Sequence, residues 1–491
     1  MENDRLNKFL TFEAESCFDY TVDGIRIWKY LREFVYDEYI RKIYKTEARV
    51  HSCSDFKFGM YLVGQLWRIL QPDERYSPKD ILFISFPRKT MINGSYICTQ
   101  LQPLMNKFDN HSWIVENPFW IEDKSYFISH FTSKKSSMTF TDKIEIKHMI
   151  SMLFRYASRC RFAHNNDVKI MNFLNNIEVN LQIHLDYKEY LNKIFWYVSF
   201  EKYARTYYEK LLHQVAPKCI VEVYTPNHQI ALLNTIAHEN GIPVIDVQHG
   251  AIGTYEPIMY SYHKKRNYQH LSDFIFTFGE YWTKKENYHL KKECIFPVGV
   301  PYLEEKVREV ADKPIKKEAI VIISQARHSN LFYTLARDLH HVKEIIGGKR
   351  IILKLHPYEY SSYISGFYKD LENEGVQVDA GLNKHLYEYF GNACCVIGIN
   401  STALYEALAF GIPVYVYANK YGVENLLELS RNSTQVHLFK DKNDLIDKLK
   451  NHHLTNALRI GDTEGLFASN AMERALSALE KICGVIPEGN S

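Results

Sequence analysis

Apolar residues recur along this chain in two rhythms. In DGIRIWKYLREFVYDEYIRKIYK, residues 23–45, they fall three and four apart, so Trp28, Leu31, Val35 and Tyr39 line one face of a predicted helix. The opposite face is rich in Arg and Lys. From residue 80 onward the rhythm changes to short, unbroken apolar runs separated by helical patterns. DILFISFPR, SWIVENP, KCIVEVYT, IPVIDVQH, HLSDFIFTFG and CIFPVGVP read as strands in a first series. EAIVIISQ, KRIILKLHP, GVQVDAG, NACCVIGINS and IPVYVYAN read as strands in a second. Runs that do not alternate polar with apolar belong to strands buried on both faces, as in a parallel sheet covered by helices.

Helices are predicted between these strands. NGSYICTQLQPLMNKF, HQIALLNTIAHENG, NLFYTLARDLHHVKEIIG and TALYEALAFG carry the helical period, several closing on glycine. Residues 130–215 read as mostly helical, and KDKNDLIDKLK and SNAMERALSALEKIC as closing helices. GVPYLEEKVREVADKPIKK joins the two series and reads as the linker. The fold class expected is α/β: two doubly wound, Rossmann-like domains with a helical N-terminal extension. Boundaries are placed at 1–79 for the extension, 80–303 for an acceptor-side domain with a helical insertion, 304–455 for a donor-side domain, and 456–491 for a closing helix.

Ligands of such sheets bind at the carboxyl ends of the strands. Two predicted strands end there in histidine, one per domain: His249 in VIDVQHG and His356 in KLHP. His249 is flanked by Gln248 and Gly250, and His356 by Pro357. An imidazole, with a reference pKa of about 6.5, can accept a proton at neutral pH. Glu222 and Asp246 lie near other strand ends of the first domain and are alternative bases. In the second domain Asn400, Ser401 and Thr402 occupy a strand-to-helix turn, where free N–H groups and hydroxyls suit a phosphate. Glu406 follows one helical turn later, on the side of Thr402, placed for the hydroxyls of a nucleotide sugar. Arg327 and His328, in SQARH after the first strand of the second domain, can reach the same phosphate.

Composition narrows the classes. The chain has 491 residues, 46% hydrophobic and 24% charged, enough for two or three ordinary globular domains. A net charge of +2 argues against a dedicated nucleic-acid binder. Nine cysteines without a CxxC point to reduced thiols rather than disulfides or structural zinc. No acidic DxD pair sits at a strand end, so a metal-independent site is expected. The N-terminus MENDRLNKFL has no signal-peptide pattern, and no run of about 18 apolar residues is present. A cytoplasmic location is expected, at the inner face of the membrane if the basic face around Arg26, Lys29, Arg32, Arg41 and Lys42 contacts anionic lipid.

The order QHG, KLHP, NSTALYEALAFGIPV, spread over residues 215–420, resembles bacterial GT-B glycosyltransferases of capsule and lipopolysaccharide synthesis. The likeness is strongest to the capsule enzymes that include Kdo transferases. It is more distant to sialyltransferases and to the CDP-glycerol glycerophosphotransferases of teichoic-acid synthesis. The resemblance implies that His356, Ser401 and Thr402 hold the donor's nucleotide and phosphate. The glycerophosphotransferases carry Trp-His-Gly with the histidine as base, and here Gln248 replaces the Trp. The implied activity is transfer of a sugar from a nucleotide-activated donor, CMP-linked sugars being one option, with no further cofactor. The implied acceptor is a glycan or lipid-linked glycan, with other polysaccharide-assembly proteins as partners. A nucleotide-sugar epimerase of the same fold and a non-catalytic assembly component are the alternatives.

Overall fold

The computed structural model describes residues 2–44, 76–86, 89–92, 95–116, 138–140, 142–153, 156–223, 227–253, 260–263, 266–285, 288–311, 317–356, 359, 362–363, 365–380, 385–418, 423–451 and 465–487. Two small antiparallel hairpins, β1 (Thr21–Val22) with β2 (Ile25–Arg26) and β4 (Thr90–Ile92) with β5 (Ser95–Ile97), decorate two larger sheets. The first sheet holds β3 (Ile81–Ile84), β6 (Ser112–Glu116), β7 (Met138–Phe140), β8 (Cys219–Glu222), β9 (Val244–Val247), β10 (Phe274–Thr277) and β11 (Ile295–Pro297). The second holds β12 (Ala319–Ile323), β13 (Arg350–Lys354), β14 (Gln377–Asp379), β15 (Ala393–Gly398), β16 (Val414–Tyr417) and β17 (Val436–Phe439).

Every pairing in both sheets is parallel. The spatial orders are β11-β10-β9-β8-β3-β6-β7 and β14-β13-β12-β15-β16-β17. Each sheet starts in its middle, winds outward one way, then returns and winds the other way. The switch points therefore lie between β3 and β8 and between β12 and β15, where a crevice opens at the carboxyl ends. β3, β8, β9, β12 and β15 are buried along their whole length. That explains why each reads as an unbroken apolar run.

The predicted strands all form. Beyond the four hairpin strands, two others, β7 and β17, lie where no strand is expected. They have three and four residues and sit at sheet edges, too short to display a period. In NGSYICTQLQPLMNKF only Gln102–Lys107 is helical, and Ser95–Ile97 belongs to a hairpin. The linker carries a helix of its own, Pro301–Ala311. The last helix, Ala471–Cys483, returns to the first sheet. Ala475, Ala478 and Leu479 pack there with Ile81, Phe83 and Val221. Gly299 marks that crossing: its φ is +92°, and a Cβ there would lie 2.4 Å from the Ala468 carbonyl oxygen.

The N-terminal helix Trp28–Tyr44 packs as its pattern predicts. Trp28, Leu31, Val35 and Tyr39 are buried against helices Tyr156–Leu181 and Tyr187–Val215. Two of the five basic residues expected to face lipid, Lys29 and Arg32, do not. Arg32 turns inward and binds Glu13 through two hydrogen bonds of 2.6 and 3.0 Å. It also donates to the Ser261 carbonyl at 2.7 Å and covers the Tyr262 ring at 4.0 Å. Lys29 is buried beside Glu201 at 2.9 Å, and Arg26 stands 3.8 Å from Asp19. An ion pair removed from water is closed to lipid headgroups, so Lys29 and Arg32 join the domain core instead. The side chains of Arg41 and Lys42 lie outside the described residues. Among the described residues no helix is long and apolar enough to cross a membrane.

Candidate functional site

The carboxyl ends of the two sheets meet. The loop at residues 248–253, which leaves β9, crosses to the second domain. There the Ala251 N–H donates to the Thr402 hydroxyl at 2.9 Å, and Asn425 Nδ2 donates to the Ile252 carbonyl at 2.8 Å. Gly250 eases this approach. A Cβ on it would stand 3.0 Å from Thr402 Oγ1, so the tight contact is with the opposite domain. Gly253 is closer still: its Cβ would fall 2.2 Å from Asn425 Nδ2.

Gln248 holds this loop to its own domain. Its buried amide accepts from the Phe278 N–H at 2.8 Å and donates to the Gly250 carbonyl at 2.7 Å. His249 is half-buried between two rings. Its centroid is 5.5 Å from Phe86, which follows β3, and its Nδ1 is 3.2 Å from the Tyr260 hydroxyl. In the tautomer that carries the proton on Nδ1, that N–H donates to Tyr260 and Nε2 is the basic nitrogen of the ring. Tyr260 and Phe86 are absent from the sequence reading, because aromatic residues in loops carry no positional signal.

Glu222 and Asp246 point elsewhere. They are register partners on neighbouring strands. They share the sheet face of Ile220 and Val244, which packs under helices Tyr187–Val215 and His228–Glu239. Their exposures are 0% and 3%, and Asn234 Nδ2 donates to Glu222 at 2.9 Å. Both carboxylates are thus set into the helix layer, whereas His249 stands at the loop that crosses between domains.

In the second domain the turns that carry Arg327 and His328, after β12, and Asn400, Ser401 and Thr402, after β15, flank one switch point. Gln325, after β12, donates its amide to Asn400, after β15. Ser401 is the N-cap of helix Thr402–Ala409, its Oγ accepting from the Ala403 N–H at 3.3 Å. Ser401 and Thr402 both act as acceptors here, and a hydroxyl that accepts still has its own proton to donate. Arg327 and His328 form the short turn Ala326–His328 before helix Ser329–His341, with Arg327 exposed and His328 half-buried. His356 is half-buried two residues beyond β13. Pro357 lies outside the described residues.

One group was not anticipated. Glu359 is 2% exposed, and its carboxylate accepts from the His356 N–H, the Ser324 hydroxyl and the Tyr368 hydroxyl, each at 2.8 Å. The Glu359 N–H in turn donates to the His356 carbonyl at 2.8 Å. The bond from the His356 N–H is the glutamate half of a capping box and the bond from the Glu359 N–H is an ordinary backbone turn, so a Glu three residues after a strand-end residue is the partial sequence signal that points to it.

Glu406 is less solvated than its surface-helix position suggests. Burial pushes its carboxyl up to about 7, against the smaller opposing effect of the Tyr387 hydroxyl donating to it. The folded protein therefore keeps this proton after the unfolded chain has lost it. Its contribution to stability is complete below the unfolded value of about 4.3 and is lost as pH rises through about 7. Glu406→Gln, which mimics the protonated form, is expected to melt above wild type at pH 8. The difference should shrink toward pH 5 in thermal denaturation across that range, and a constant difference would contradict the assignment.

Two Rossmann-like domains joined at their carboxyl strand ends, with a helical N-terminal layer on the first, place the chain in the GT-B fold class. Its overall fold is similar to that of UDP-GlcNAc 2-epimerase from Methanocaldococcus jannaschii, at 13% identity and a TM-score of 0.49, over 82% of this chain and 99% of that one. It is also similar to UDP-GlcNAc 2-epimerase from Neisseria meningitidis bound to UDP-GlcNAc, at 10% identity and a TM-score of 0.46, over 82% and 100%. A third similar structure is the wall teichoic acid polymerase TagF, at 13% identity and a TM-score of 0.40, over 89% and 95%. No family model and no curated protein matches the sequence.

Proposed function

We propose that this chain is a glycosyltransferase that moves a sugar from a nucleotide-activated donor to a growing surface polysaccharide, of capsule or lipopolysaccharide type. The observation that carries the reading is the contact between Ala251 and Thr402. It sets the loop bearing His249 against the helix start that bears Ser401 and Thr402. A base on one domain and a set of phosphate-binding groups on the other are what displacement at an anomeric carbon requires.

In this reading His249 Nε2 takes the proton of the acceptor hydroxyl as its oxygen attacks the anomeric carbon. The bond from that carbon to the donor phosphate breaks, and its electron pair leaves on the phosphate oxygen. Negative charge then grows on the leaving nucleotide. It is met by Arg327, by His356, by the Ser401 and Thr402 hydroxyls, and by the N–H groups of the helix start. Glu406, expected from the sequence to meet the ribose hydroxyls, is instead half-buried beside the Tyr387 hydroxyl and takes no part in this reading, and Asn400 is oriented by Gln325.

The test is a thermal-shift panel of CMP, CDP, UDP, GDP and dTDP. A ligand that binds only the folded protein raises its melting temperature in proportion to RT ln(1 + [L]/Kd). One nucleotide is expected to stand out, and it names the donor class. A flat response across the panel removes the reading. With the matching sugar nucleotide, product that forms only when an acceptor glycan is present supports transfer. Interconversion of the sugar without acceptor identifies an epimerase instead.

A further inference from the structure

We propose that Glu359 is the positioning residue of the donor side: its buried carboxylate ties the loops that follow β12 and β13 into one unit and so sets where the His356 imidazole stands. This rests on the reading of His356 as a donor-binding group.

The argument begins with what lies on each oxygen. One accepts from the His356 backbone N–H, and the other from both Ser324 and Tyr368. Ser324 is the first residue beyond β12, and His356 follows β13 by two. Each of these loops leaves the carboxyl end of a central strand, where one backbone bond, from the Ser324 N–H to the Lys354 carbonyl at 2.9 Å, pairs them and the Glu359 carboxylate adds a second tie further out. Tyr368 is fully buried at the start of helix Lys369–Glu374, so it fixes the carboxylate to the core behind the loops.

A group that only filled space would be apolar, since removing a carboxylate from water is costly. Burial does raise this carboxyl's proton affinity, and the three donors oppose that. The arrangement also continues sideways. Ser324 is followed by Gln325, which donates to Asn400, and Asn400 leads to Ser401 and Thr402. Glue at Glu359 therefore aligns three successive strand ends, those of β13, β12 and β15. The groups assigned to the donor phosphate stand on these same loops. A displacement of about 1 Å at such a site can cost about a hundredfold in function.

The test uses the full chain and two readouts at a temperature well below melting. The first is affinity for UDP and for CMP by calorimetry. The second is the rate at which diethyl pyrocarbonate modifies His356, read by peptide mass spectrometry. Glu359→Ala is expected to raise the nucleotide Kd about tenfold or more and to speed His356 modification. Glu359→Gln keeps the shape and can still accept from the His356 N–H, so it should recover most of both. Tyr368→Phe, which removes one donor, should move both readouts the same way but less. If Glu359→Ala fails to fold, Ser324→Ala and Tyr368→Phe carry the test. A folded Glu359→Ala with a lower melting temperature but unchanged Kd and His356 reactivity overturns the proposal, because a merely structural role moves stability alone. If wild type binds neither UDP nor CMP, the nucleotide selected by the thermal-shift panel takes their place; if none of the five binds, the donor reading fails and His356 reactivity decides: faster modification in Glu359→Ala sustains the positioning role, and an unchanged rate overturns it.

Discussion

Replacing His249 by alanine should abolish sugar transfer while leaving nucleotide binding in place. Loss of a general base typically costs about 10²- to 10⁴-fold in rate. Because the proton moves only as the bond forms, kcat and kcat/KM should fall together. Donor affinity should stay near wild type, since the donor groups stand on the other domain. Steady-state kinetics and nucleotide calorimetry on the same preparation check this. A raised donor KM with unchanged kcat would make His249 a binding residue. Unchanged constants would reduce it to an imidazole that merely pairs with Tyr260.

The second large effect concerns His356. His356→Ala is expected to weaken nucleotide binding by about 1.5–3 kcal/mol, the worth of a hydrogen bond to a charged group. The fold should survive, because the backbone N–H that Glu359 holds remains after the substitution. Calorimetry with the nucleotide chosen by the thermal-shift panel measures the loss, and circular dichroism checks the fold. Unchanged affinity would remove His356 from the donor site. The contrast with His249 is the point of the pair: one variant should lose turnover and keep the ligand, and the other should lose the ligand.

Much of the architecture was legible before any coordinates. β3, β8, β9, β12 and β15 announced themselves because strands covered on both faces leave an apolar run with no polar break. Their ends were legible for the same reason: a polar residue after such a run marks the rim of the sheet. His249, His356 and Asn400 were found in this way, and Ser401 was readable as an N-cap. The edge strands β7 and β17 were not, because three or four residues at a sheet edge hold too few buried positions to set a period.

The sequence by itself determined the local facts: which buried runs become strands, which face of helix Trp28–Tyr44 is buried, and which residues stand at strand ends. These depend on neighbours within a few positions, where periodicity and capping act. Tertiary structure alone decided partnership. It turned Arg32 from a surface cation into the partner of Glu13, 19 residues away, and of the Ser261 carbonyl. It set Glu222 and Asp246 into the helix layer and left His249 at the crossing loop. It joined Ala251 to Thr402 across 151 residues, and gathered Ser324, His356 and Tyr368 around Glu359. The physical reason is that a buried charge or hydroxyl is stable only with a partner. That partner is chosen by how the two sheets come together, not by any pattern along the chain.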